Sequence, residues 1–184
     1  MDKQEALKRL MDGNQAYLAA GREIGDISPA IRLRTTREGQ KPFAIIVACS
    51  DSRVIPEVIF HCGIGDLFVI RVAGNVMDSH QLGSIEYAAD HLGTKLVVVL
   101  GHTNCGAVAA AIHHDPSGFI KFITDEIRTA IGEEQDSYKA SCLNVMRSRA
   151  IIEHELMELF SQDDGPSVVG AMYDIETGKV EFLH

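Results

Sequence analysis

With 184 residues, 46% of them hydrophobic, the chain can bury one substantial core and is expected to fold as a single domain spanning 1–184. Its 17 Lys and Arg against 26 Asp and Glu give a net charge of -9, which argues against a function built on neutralising a phosphate backbone, so no nucleic-acid partner is expected. Four cysteines without small-scaffold spacing, an N-terminus lacking a basic-then-apolar layout and the absence of an apolar run of about eighteen residues predict a cytoplasmic protein with no membrane partner.

Residues 3 to 20 place Leu7, Leu10, Met11, Tyr17 and Leu18 at a helical period, with a weak point at Gly13-Asn14. A polar segment with Ser28-Pro29 follows, so residues 1–38 read as an N-terminal helical arm outside the main sheet, and 39–184 as the core. From Phe43 onward the chain alternates. Continuous apolar runs at 43–48, 67–72, 95–100 and 168–173 predict strands covered on both faces. Helices are expected over 79–92, with Ser79 as N-cap and Gly93 as stop, and over 106–113, about 118–131 and about 143–160. The segment from Tyr173 to Val180 reads as strand, tight turn, strand. The expected fold is therefore α/β: about four parallel strands plus a C-terminal antiparallel strand, flanked by helices.

Two strand ends carry chemistry. The run Phe43 to Ala48 ends in Cys49-Ser50-Asp51-Ser52-Arg53, and Leu96 to Leu100 ends in Gly101-His102-Thr103-Asn104-Cys105-Gly106. In an extended segment alternate side chains share a side, which would face Cys49, Asp51 and Arg53 into one space. Ligands of open α/β sheets bind beyond the carboxyl ends of strands, where both segments lie. Together they offer two thiolates, an imidazole and a carboxylate, a set suited to tetrahedral zinc; an iron–sulfur cluster would usually want four thiolates. Cys62 and Cys142 have no partner at ligand spacing, and the other seven histidines, His184 among them, read as surface or packing residues. Gly63-Ile64-Gly65 lacks the third glycine of a dinucleotide fingerprint, and Gly101 to Gly106 lacks the Lys of a phosphate loop, although a helix starting there could bind a small anion.

Cys49-Ser50-Asp51-Ser52-Arg53 with His102-x-x-Cys105 and Gly106 resembles the zinc site of the β-class carbonic anhydrases. The likeness extends through Gln40-Lys41-Pro42, Gly65 to Arg71, Ala73-Gly74-Asn75, Ser84 to Ala88 and the closing residues 168–183. The resemblance implies one zinc ion (Zn2+) per chain, held by Cys49, His102, Cys105 and, conditionally, Asp51. A closed four-ligand site would be structural, but Asp51 pairing with Arg53 would open the fourth position, making these two the catalytic pair. The implied reaction is reversible hydration of carbon dioxide to bicarbonate and a proton, by attack of zinc-bound hydroxide. Two thiolates would cancel the ion's formal charge, so the rate should rise from neutral into alkaline pH. Gln40, Phe68, Ala73, Tyr87 and Gly106 are the implied substrate-binding residues. The family also implies a homodimer or dimer of dimers, with the N-terminal helix reaching across to its neighbour. Having no Trp, the chain resembles the type without a separate bicarbonate control pocket. Alternatives are hydrolysis of carbon disulfide on the same site, or a non-catalytic zinc module with structural or sensory use.

Overall fold

The apolar runs become the inner strands of one sheet in the computed structural model, which describes residues 1–20, 24–114, 116–161 and 164–183. His184 lies outside the described residues. In chain order the elements are α1 (Lys3–Ala20), α2 (Pro29–Glu38), β1 (Ala44–Ala48), α3 (Pro56–Ile59), β2 (Leu67–Arg71), a 3-10 turn (Ala73–Asn75) and α4 (Ser79–Asp90). They continue with β3 (Leu96–His102), α5 (Gly106–His113), α6 (Ile120–Ile131), α7 (Ser137–Leu159), β4 (Ser167–Tyr173) and β5 (Val180–Leu183). The strand order is β2-β1-β3-β4-β5; all neighbours are parallel except the final β4–β5 pair. This is the expected α/β architecture.

The continuous runs follow from burial on both faces. Ala44, Ile46 and Ala48 of β1, with Leu96, Val98 and Leu100 of β3, pack into one cluster; Ile45, Val47, Val97 and Val99 pack into the other. Residue alternation assigns successive side chains to opposite clusters, so no polar position interrupts the strand.

Ala6 and Leu10 of α1 are fully buried in the same cluster as Phe43 and Ile46, so part of the apolar face of this helix is seated on its own chain, while Met11 and Leu18 stay exposed. Gly13-Asn14 is the docking point rather than a weak one. A Cβ at Gly13 would lie 2.0 Å from the Phe60 carbonyl oxygen, so only glycine permits this approach. Asn14, 3% exposed, donates to the carbonyls of Ile59 (3.2 Å) and Gly178 (3.0 Å) and accepts from the Val180 N–H (3.0 Å).

Other boundaries also differ. Asp78, not Ser79, caps α4: its carboxylate accepts from His80 N, and the Gln81 side chain returns to Asp78 N at 3.0 Å. Helix α7 starts at Ser137, well before 143, capped by Asp136. Helix α2 buries only Ile31 and so has no apolar stripe to betray it. Strand β3 runs on to His102, making that residue part of the sheet.

Candidate metal centre

Strands β1 and β3 are parallel neighbours with Ala48 opposite Leu100, yet the chain leaves them for opposite sides of the sheet. Their carboxyl ends therefore border the crevice in which such sheets bind ligands. Cys49 is the first residue past β1, His102 the last of β3, and Cys105 the N-cap residue immediately before α5. Asn104, in the left-handed region at φ 57°, turns the chain between the latter two. The sulfur atoms of Cys49 and Cys105 and a ring nitrogen of His102 lie within 4.8 Å of one another, and all three residues are buried.

The chemistry of this trio suits a metal. The Nδ1 of His102 lies 2.9 Å from the Thr103 carbonyl, which places the proton on Nδ1 and leaves the Nε2 lone pair free. That Nε2 is buried and has no hydrogen-bond partner among the described residues. His61 Nδ1 and Asn75 Nδ2 are also unpartnered among the described residues, but His61 joins no group of metal-ligating side chains there and an amide nitrogen has no lone pair to offer a metal. The Cys49 thiol is pulled down to about 4, chiefly by a hydrogen bond from the Cys105 thiol and also by the Gly74 N–H at 3.2 Å; burial opposes this. Cys105 is pushed up by the same shared proton and by burial. The pair thus holds one proton where a cation would take its place, since metal binding displaces protons from its ligands.

Asp51 stands apart from the trio. The chain turns here instead of continuing extended: Val54 N donates to Asp51 O (2.9 Å), and Arg53 N donates to Asp51 Oδ1 (3.0 Å). Asp51 and Arg53 meet through this local turn, which an aspartate favours, rather than through strand alternation. The guanidinium grips both carboxylate oxygens, Nε to Oδ1 at 2.9 Å and Nη2 to Oδ2 at 2.7 Å, and Nη2 also reaches the Asn104 carbonyl at 3.1 Å. This contact holds the Asp51 carboxyl well below the usual carboxylate range. Arg71, at the end of β2, donates to the carbonyls of Cys49 (3.0 Å) and Asp51 (2.7 Å) and so fixes the same loop. Sequence reasoning missed Arg71, although a cation closing an apolar strand was a visible signal.

Of the implied substrate-binding residues, Phe68 on β2 and Tyr87 on α4 come together with ring centroids 6.2 Å apart, and Tyr87 is 46% exposed. Ala73 opens the 3-10 turn beside Gly74, Gly106 is the exposed first residue of α5, and Gln40 is exposed between α2 and β1. A cleft of about 490 Å³ between α7 and the start of β4 includes none of these residues and, among the described residues, no metal-ligand cluster.

A mainly parallel α/β sheet with a buried thiolate–imidazole cluster at the carboxyl ends of two adjacent strands defines a class of metal-competent α/β proteins. Comparison with known proteins narrows it. A family model described as carbonic anhydrase matches residues 44–180. The chain is 36% identical to a carbonic anhydrase of Mycolicibacterium smegmatis, over 96% of this chain and 91% of that protein. It is 34% identical to carbonic anhydrase 2 of Mycobacterium tuberculosis, over 95% and 89%. The β-carbonic anhydrase of Coccomyxa, solved with acetazolamide, matches with TM-score 0.75 at 26% identity, covering 84% of this chain and 78% of that one. One of the β-carbonic anhydrases of Aspergillus fumigatus matches with TM-score 0.72 at 28% identity, covering 84% and 81%. The chain belongs to the β-class carbonic anhydrase family, a family of zinc enzymes whose general reaction is carbon dioxide hydration. Among the described residues no helix is long and apolar enough to cross a membrane.

Proposed function

We propose that Cys49, His102 and Cys105 hold one zinc ion and that this site catalyses the reversible hydration of carbon dioxide to bicarbonate and a proton. The observation that carries the reading is the grip of Arg53 on Asp51. Three buried ligand atoms face one space while the carboxylate that could complete the shell is held away, as a catalytic zinc site with one exchangeable position requires. Zinc bound there supplies Lewis acidity that makes water nucleophilic near neutral pH.

The chain's own residues do the rest. Asp51, kept ionised by Arg53, only accepts hydrogen bonds; it takes one from the nucleophile and aims its lone pair at the carbon of carbon dioxide. Arg53 holds that carboxylate, and Arg71 holds the main chain beneath it. Gln40 donates to a substrate oxygen, Phe68, Ala73 and Tyr87 supply an apolar wall, and the N–H of Gly106 at the start of α5 meets a bicarbonate oxygen. A purely structural zinc module has no use for Arg53, which disfavours the non-catalytic reading.

The pocket is completed in a homodimer, or a dimer of dimers. Supporting this, β2 is an edge strand with no outer partner among the described residues, and its Phe68 and neighbouring Tyr87 are only partly covered in the protomer. Light scattering should give at least twice the protomer mass; a monomer overturns the dimer. The four free cysteines accord with the cytoplasm.

The deciding experiment is stopped-flow carbon dioxide hydration with measured zinc content, on the wild type and on Arg53→Ala. The expected outcome is an active wild type and a zinc-loaded, inactive variant. Full activity in Arg53→Ala would refute the assigned roles of Asp51 and Arg53, and an inactive zinc-loaded wild type would refute the reaction.

A further inference from the structure

The turn that follows β2 is held by a helix distant in sequence. Gly74 (φ 69°) and Asn75 (φ 45°) adopt left-handed conformations in succession, and both residues are buried. Glycine does this freely and asparagine against some steric resistance, so something must hold the turn in place. Its product is one interaction: the Gly74 N–H donates to Cys49 Sγ at 3.2 Å.

Helix α7 supplies the restraint. Asn144 Nδ2 donates to the Gly74 carbonyl at 2.7 Å, and Ser148 Oγ donates to the Asn75 carbonyl at 3.0 Å. These two residues stand one turn apart on the inner face of α7, each 2% exposed. A buried hydroxyl in a helix that needs only an acceptor can take the carbonyl four residues back, as Ser141 does with Ser137 at 2.8 Å. Ser148 instead reaches out of its helix, as Asn144 does. With two successive carbonyls anchored, the peptide planes of the turn cannot rotate away from the sulfur. Space enforces the same pose, because a Cβ on Gly74 would come within 2.8 Å of Ile127 Cδ1 and 3.1 Å of Ala107 Cβ.

We infer that Asn144 and Ser148 are positioning residues that set the donor strength of the Cys49 sulfur, by clamping the Ala73–Asn75 turn so that the Gly74 N–H stays on it. The inference rests on the reading of Cys49 as a zinc ligand. A hydrogen bond to a ligating thiolate withdraws electron density from it, so a metal held there receives less charge and remains the stronger Lewis acid. Neither side chain touches substrate; both act through the main chain of the turn.

The test uses cobalt(II) as the probe in place of zinc, with Asn144→Leu, Ser148→Ala and Ser148→Thr. In the first two, the thiolate-to-cobalt charge-transfer band should move to lower energy, because the freed sulfur is the stronger donor, while the cobalt dissociation constant should rise roughly tenfold because that sulfur is no longer held in its ligating pose, a loss of orientation that outweighs the gain in donor strength. Ser148→Thr, which keeps the hydroxyl, should restore both. An unmoved band and unchanged affinity in Ser148→Ala, alongside a lowered Tm, would mean that the clamp is only packing and would overturn the inference. Should Asn144→Leu not fold, the Ser148 pair decides alone. The band is read without carbon dioxide, so an inactive wild type that still shows the shift refutes the proposed reaction and leaves this inference standing. A wild type lacking any thiolate band overturns the metal site and the inference with it.

Discussion

Gly101→Ala should damage both fold and site, because Gly101 and Gly170 form a slot for one side chain of α7. A Cβ at Gly101 would lie 2.4 Å from Val145 Cγ2 and 2.7 Å from Met172 Sδ, while one at Gly170 would lie 3.0 Å from Val145 Cγ1. Carbon atoms in contact normally sit about 3.5 to 4.0 Å apart, so the added methyl intrudes by roughly 1 Å. The Met172 thioether can flex, but Val145 is fully buried and its branched Cβ leaves little rotamer freedom. Relief requires α7 to retreat or the end of β3 to tilt, and His102 is the next residue of that strand. Overpacking of this kind costs about 1 to 3 kcal/mol, and a stiff neighbour puts this case near 3. Urea unfolding should show that loss, and chelator competition should show weaker zinc retention. The double variant Gly101→Ala with Val145→Ala tests the cause: in that background the added methyl should cost less than about 1 kcal/mol, a coupling of about 2. A single variant within about 0.5 kcal/mol of wild type, or an undiminished cost in the Val145→Ala background, refutes the reasoning.

Asn14→Leu should lower stability by about 3 kcal/mol in urea, since three buried main-chain groups lose their partner at about 1 kcal/mol or more each; a loss under about 1 would mean that they find other partners. Cys62 gives a pH signature. Burial pushes its thiol up to about 12, and its Sγ donates to the Phe60 carbonyl. Above pH about 9 the unfolded chain releases a proton that the folded chain keeps, so this group's contribution is intact below that pH and is lost as pH rises toward about 12. At 1.36 kcal/mol per pH unit the full loss is about 4 kcal/mol, and Cys62→Ala should unfold with a correspondingly flatter alkaline dependence. A gap between wild type and variant that stays constant from about pH 8 to 10.5 would show that the thiol is not the titrating group.

The sheet was legible because its inner strands are buried on both faces, which writes them as uninterrupted apolar runs. The Cys49–His102–Cys105 cluster was legible because two such runs end in residues able to ligate a metal and parallel register sets those ends side by side. The hidden parts are those whose buried faces are not apolar. The first turns of α7 bury only Ala140, Ser141 and Asn144, so hydrophobic periodicity places its start near 143, from where Val145, Ile152 and Leu156 mark the inner face. The start of α4 was a different failure: Asp78 and Ser79 are both good caps, but only Asp78 puts a glutamine at the third helical position, where it can complete a capping box.

The loop at 49–53 brings Asp51 and Arg53 together by a different geometry from the one its sequence suggests. Extended alternation predicts that Cys49, Asp51 and Arg53 face one space; the chain instead turns at Asp51, and the carboxylate swings onto the guanidinium of its own turn. Arg53 also takes the Asn104 carbonyl, which the left-handed backbone at Asn104 presents to it. The pose of Asp51 is therefore secured from both strand ends. Bringing that carboxylate to the sulfur atoms would break its two charge-assisted hydrogen bonds to the guanidinium and the one it accepts from the Arg53 N–H. The two arrangements thus differ by a discrete set of bonds, and a carboxylate so placed is either held by Arg53 or available to a metal, not shared between them.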